Sequence, residues 1–112
     1  MVKLSPSVLT ADFLTLGEML PKFEKSGVDM LHLDVMDGIF VPNLSIGFPV
    51  TESLYKHTNI PLDVHLMIKR PERYIDRFVK AGADIITVHY EACENPMSVV
   101  HLIHSYEMKA GI

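Results

Sequence analysis

Tryptophan is absent from the 112 residues, cysteine occurs once, and no apolar run approaches the roughly 18 residues of a membrane span. The missing run argues against a helical span, and the start MVKLSPSVLTADF lacks the charged-then-apolar layout of a secretory signal. A cytoplasmic location, with no membrane as partner, is the expectation. The lone Cys93 has no partner for an internal disulfide and no second cysteine for a Cys-type zinc site, so it reads as a small semi-buried side chain. Positive charge is also scarce: 10 Lys and Arg stand against 14 Asp and Glu, a net charge of -4 with a pI near 5.8. Those basic residues are scattered, which argues against nucleic acid and favours a small-molecule partner. Neither GxGxxG nor GxxxxGK(S/T) follows the first apolar run, so the main signature of a nucleotide-binding open sheet is missing.

What is present is an ordinary globular composition, 48% hydrophobic and 21% charged, enough for one domain over residues 1–112. Apolar runs recur with a weak period of about 30 residues, the length of a strand plus a crossover helix. Val2 to Leu9 reads as a short strand, with Thr10 and Asp12 as helix-capping candidates before Phe13, Leu16, Leu20 and Phe23 at helical spacing, stopped by Gly27. Asp29 to Val35 alternates like a strand, and the Gly-, Pro- and Asn-containing MDGIFVPNLSIGFP leads to a short helix at Val50–His57. LDVHLMI is a third strand. Pro71 suits the first turn of a helix continuing through Tyr74, Ile75, Phe78 and Val79. Asp84 to His89 is a fourth strand, Pro96 to Met108 a last helix, and Lys-Ala-Gly-Ile the entry to a fifth strand. Strands alternating with helices imply parallel pairing and the α/β class, closed into a barrel or open and doubly wound.

Residues two apart on a strand share a face, so His32, Asp34 and Met36 point one way and Leu31, Leu33 and Val35 the other. On the third strand Asp63, His65 and Met67 oppose Val64, Leu66 and Ile68 in the same manner. The aliphatic faces must meet helices. In a barrel the opposite face is interior and opens at the C-terminal ends of the strands. His32, Asp34 and His65 form a reasonable three-ligand set for a zinc-like divalent ion with a position left for substrate. Set against this, a lone interior histidine is more often a hydrogen-bonded core residue than a ligand, although an unpaired carboxylate on the same face would be costly. For Met36 and Met67 spacing alone favours gap-filling in the core. Ser5, Ser7 and Leu9 share a face of the first strand, where Ser7 could simply bond the backbone. Thr87, His89 and Glu91 share a face of the fourth, where His89 and Glu91 could support a ligand, contact substrate or form an ordinary polar strand end. His57, His101 and His104 have no converging partner and read as surface residues.

The strings SPSVLTADF, HLDVMDGIFVPN, DVHLMI and AGADIITVHYEA, in this order, resemble the ribulose-phosphate 3-epimerase family. The resemblance runs through the whole chain, and HxDxMDGxFVPN followed by VHLM is a specific combination. It implies a TIM (β/α)₈ barrel that binds one divalent ion, Zn²⁺ first with Fe²⁺, Mn²⁺ or Co²⁺ as alternatives, and interconverts ribulose 5-phosphate and xylulose 5-phosphate in the pentose phosphate pathway. Carried over residue by residue, it implies that His32, Asp34 and His65 bind metal and that Asp34 is also one of two acid/base carboxylates. Ser7 and His65 would contact the sugar phosphate, and Met36 and Met67 would line the pocket. Such chemistry removes a proton beside a carbonyl and returns one to the other face. The long stretch from Gly38 to Gly47 is of the kind that closes over sites.

A complete barrel takes roughly 250 residues, so the expectation is the first four βα units, a half barrel. The resemblance places the second catalytic Asp and the phosphate loops on later strands. A fragment of a full-length epimerase, or a shortened product pairing as a homo-oligomer or with a complementing C-terminal half, is therefore expected, with little epimerisation by the chain alone. A hexulose-phosphate 3-epimerase would share these motifs, and a catalytically inactive half-barrel binding or assembly module would keep the strands without needing the metal.

Overall fold

In the computed structural model, which describes residues 1–112, four parallel strands alternate with four helices. They are β1 (Leu31–Met36), β2 (Leu62–Met67), β3 (Ile85–Val88) and β4 (Lys109–Gly111), with α1 (Leu16–Ser26), α2 (Phe48–His57), α3 (Ile75–Ala81) and α4 (Pro96–Ser105). Strand order in the sheet is β1-β2-β3-β4, identical to chain order. A doubly wound sheet reverses its order at a switch point, whereas a (β/α) barrel adds each strand beside the last. The unreversed order is therefore of the barrel type.

Alternation on the strands sorts the side chains. Leu31, Leu33, Leu62, Val64, Leu66 and Ile86 have no more than 1% of their surface exposed and pack into one cluster with Leu54, Ile75, Phe78, Val99 and Ile103 of the helices. Each such side chain contributes roughly 1.5–3 kcal/mol by leaving water, so the layer between sheet and helices is the main source of stability. Gly82 lets α3 end where it does. Its backbone is left-handed at φ 106°, and a β-carbon there would collide with the ring of Tyr55 from α2.

The expected elements recur with four adjustments. The first strand is not a strand along Val2–Leu9: the carbonyls of Leu4 and Pro6 accept Asp29, Met30 and His32 amides beside β1, Ser7 makes one parallel bridge to His32, and Val8–Thr10 turns into a 3₁₀ helix. Pro6 has no N–H to extend the ladder, and the Ser7 hydroxyl accepts the Leu9 amide, capping the turn that ends it. Asp12 does not cap α1; its carboxylate accepts the Leu14 amide in a local turn, the helix starts at Leu16, and Phe13 is 48% exposed. The helix expected from Pro71 is interrupted: Pro71–Arg73 is 3₁₀, preceded by left-handed Arg70 (φ 54°), and α3 begins after Tyr74. The last helix stops at Ser105 instead of Met108, because Glu107 takes a left-handed turn at φ 61° that leads into β4.

Candidate metal centre

Parallel register brings the polar faces of β1 and β2 side by side, pairing His32 with Asp63, Asp34 with His65 and Met36 with Met67. The result is a cluster on the face opposite the helices. The His32 Nε2 and His65 Nδ1 atoms each lie 3.1 Å from Asp34 Oδ1. The three ligand atoms are all within 4.8 Å of one another, close enough to hold a metal ion. The three residues proposed from spacing are therefore brought together.

Their surroundings orient them. His32 Nδ1 is 2.8 Å from Asp63 Oδ2, which also accepts the Ser5 hydroxyl at 3.1 Å. An ionised carboxylate only accepts, so a neutral His32 with its proton on Nδ1 toward Asp63 has its Nε2 lone pair available to a cation beside Asp34. One carboxylate oxygen and two imidazole nitrogens also form the donor set that a zinc-like ion takes. The residues present fit the group.

Ser7 does both things open to it: its hydroxyl donates a short hydrogen bond to Asp34 Oδ2 and accepts the Leu9 amide. Partial burial acts to raise the Asp34 carboxyl pKa, but the Ser7 hydrogen bond and then the two histidines outweigh it and hold the group below the usual carboxylate range. Asp34 is thus ionised at neutral pH, as a ligand or a base must be. Met36 and Met67 are half-buried neighbours at the C-terminal ends of their strands, and the Asn43 side-chain amide lies 3.4 Å from the Met36 sulfur.

The loop after β1 is pinned, not free. Ser45 Oγ donates to the Asp34 carbonyl and accepts the Met36 amide. Asp37 accepts the backbone amides of Ile39 and Phe40 at 2.9 Å and of Lys69 at 2.8 Å, tying this loop to the one after β2. Desolvation opposes ionisation of Asp37, but the three amides prevail and its carboxyl pKa is lowered.

Other candidates separate. His89 comes within hydrogen-bond distance of His65, with the two Nε2 atoms 2.8 Å apart. Glu91, expected on the same strand face, instead sits in the 3₁₀ turn Tyr90–Ala92 with its side chain 68% exposed and a carboxylate oxygen 3.7 Å from His89 Nδ1. Leu9 lies in the first 3₁₀ turn, away from strand alternation. His57, His101 and His104 are exposed, as expected. Cys93 is half-buried and donates to the His89 carbonyl at 3.2 Å; burial first, then Glu72 and Glu91, push its thiol pKa up, so it is no ready nucleophile. Spacing named His32, Asp34 and His65 but did not pair Asp63 with His32. An aspartate one strand over on the same face was the available signal. No helix is long and apolar enough to cross a membrane.

The model of the ribulose-phosphate 3 epimerase family matches residues 3–112. Ribulose-phosphate 3-epimerase of Bacillus subtilis (strain 168) is 51% identical over 112 residues, 100% of this chain and 52% of that protein. The chloroplastic ribulose-5-phosphate-3-epimerase of Arabidopsis thaliana is 49% identical over 114 residues, covering 96% of this chain and 39% of its own length. In fold, tryptophan synthase subunit alpha from Legionella pneumophila str. Paris, a TIM-barrel protein, superposes with a TM-score of 0.64 at 15% identity, over 96% of this chain and 51% of that one. The chain spans about half the length of the curated relatives it matches.

Proposed function

The chain belongs to the ribulose-phosphate 3-epimerase family, and from that premise we propose that it serves a metal-assisted epimerisation at C3 of a ketose phosphate. The substrate pair is D-ribulose 5-phosphate and D-xylulose 5-phosphate, in cytoplasmic pentose phosphate metabolism. The observation that carries this reading is the convergence of His32, Asp34 and His65 at neighbouring strands.

In this reading His32, Asp34 and His65 hold one divalent ion, Zn²⁺ in the first instance. When bound, such an ion supplies Lewis-acid stabilisation of the negative charge that develops on the substrate oxygens. Asp34, kept ionised by Ser7 and the histidines, takes the C3 proton, and the C–H electron pair moves toward the neighbouring carbonyl to give an enediolate. Reprotonation from the opposite face inverts the carbon. Asp63 is no second acid here, because its carboxylate is committed to His32 and Ser5. Ser7 and His65 contact the sugar phosphate while also orienting Asp34, and Met36 and Met67 line the pocket, excluding water without offering a competing acid. A second copy, or a complementing C-terminal half, would cover the open flank of β4.

The test is to incubate the zinc-loaded chain with ribulose 5-phosphate in deuterium oxide and follow C3 by NMR. The proton at C3 is expected to exchange faster than xylulose 5-phosphate accumulates, with both processes lost in Asp34→Asn. Exchange that persists in Asp34→Asn, or never occurs, overturns the assignment. Light scattering on the eluted chain reports the pairing: a monomer at all concentrations rules out self-association.

A further inference from the structure

The two histidines of the cluster are both braced on the side away from Asp34, but by different groups. His32 is braced by the Asp63 carboxylate, His65 by a second imidazole, with His65 Nε2 2.8 Å from His89 Nε2. His89 itself cannot reach an ion held between Asp34 and His65, since it stands at the far edge of the His65 ring. Its backbone is held by the following turn, where the Ala92 amide donates to the His89 carbonyl at 3.0 Å. The ring is held too. It lies edge to edge with His65, centroids 5.0 Å apart and planes at 26°, and Phe40 of the β1–α2 loop lies 4.9 Å away on a tilted plane.

A bond between two imidazole nitrogens has one proton, and its direction is decided by what each ring faces elsewhere. When His65 Nδ1 gives its lone pair to a cation, the proton of that neutral ring must sit on Nε2. His89 Nε2 must then accept, which puts the His89 proton on Nδ1, the atom facing the Glu91 carboxylate at 3.7 Å. The His65–His89 bond then runs from donor to acceptor, with negative charge on the far side of His89.

We propose that His89 is a positioning residue for His65: it accepts the Nε2–H of His65 and so holds the ring with its Nδ1 lone pair toward Asp34 and His32. The proposal rests on the reading that these three residues hold a divalent ion. Partners of this kind, one step removed from the ion, typically change metal affinity by about 10–100-fold. This tertiary contact is not apparent from the chain, because His65 lies on β2 and His89 just past the end of β3, 24 residues on.

Zinc affinity of the chain, measured by competition with a chromophoric chelator, decides the matter in two His89 variants beside the wild type. His89→Leu, which leaves the His65 Nε2–H without an acceptor, is expected to weaken zinc binding at least tenfold. His89→Gln, whose amide oxygen stands near the position of Nε2, is expected to recover most of that loss. A purely space-filling role would produce the reverse ranking, because leucine fills the apolar contact with Phe40 better. In the zinc-loaded wild type, ¹⁵N NMR of the imidazoles should find the His65 proton on Nε2 and the His89 proton on Nδ1. Equal affinity in the wild type and both His89 variants, or a His65 proton on Nδ1 in the zinc form, overturns the role of His89 while leaving the metal reading intact. Wild-type chain that binds no zinc, with His65→Ala indistinguishable from it, overturns both.

Discussion

The two faces of β1 and β2 obey different rules. Toward the helices stand Leu31, Leu33, Val35, Val64 and Leu66, none more than 5% exposed and none with a directional partner. Toward the other side stand His32, Asp34, Asp63 and His65, each held by at least one hydrogen bond to a named atom. Burial without direction is tolerant: hydrocarbon of similar volume can be exchanged at modest cost. A network of paired polar groups has no such latitude, since removing one member strands the next. Stability and chemistry are thereby divided between faces one residue apart in sequence.

The sharpest test of that division is a pair of adjacent substitutions. Leu33→Ala, at a site with no exposed surface, is expected to cost roughly 2–5 kcal/mol in urea unfolding, whereas Asp34→Ala should cost clearly less. Equal losses would break the comparison. Next, His65→Ala should abolish stoichiometric zinc by elemental analysis and shift the urea midpoint far less than Leu33→Ala does. Asp63→Asn should be milder, lowering zinc affinity about tenfold in chelator competition, which is about 1.4 kcal/mol, because the ligands remain and only the brace on His32 weakens.

The smallest effect belongs to Asp37, at the rim of the polar face. Its folded carboxyl pKa is lowered, so the anchoring it provides is complete above the ordinary carboxylate value near 3.9 and is lost as pH falls through the lower folded value. Amide exchange at Ile39, Phe40 and Lys69, the three donors, should therefore show extra local opening, beyond the intrinsic pH dependence, only in that acid range. In Asp37→Ala the same opening should be present at neutral pH, with no acid step. An acid step surviving in the variant would assign it to another group.

Much of this was legible before any coordinate. Alternation on HLDVM and DVHLM names the two faces, and the structure keeps both assignments. The stop expected at Gly27 is where α1 ends, in the left-handed conformation that glycine takes most cheaply. Less legible was anything that depended on local competition. The Val2–Leu9 run is apolar enough for a strand, yet Pro6 and the self-capping Ser7 end the pairing. Pro71 marks a helical start, but left-handed Arg70 and the break at Tyr74 split it into two short pieces. Glu91 continues the spacing of Thr87 and His89, and fails because the strand has already ended at Val88.

What the chain determined by itself is the pattern internal to each segment: which residues share a face, where segments stop, and, through its motifs, the family to which it belongs. Those properties depend on neighbours a few residues away, and dihedral preferences and side-chain periodicity carry them. Which ring nitrogen meets which oxygen was decided only by the tertiary structure. Asp34 and His65 are 31 residues apart, and their meeting depends on a strand register set by how the intervening helix packs. A one-residue slip of β2 against β1 would send His65 into the hydrocarbon layer. The buried leucines and valines forbid that slip, so the apolar face, which takes no part in the chemistry, is what aligns the polar one.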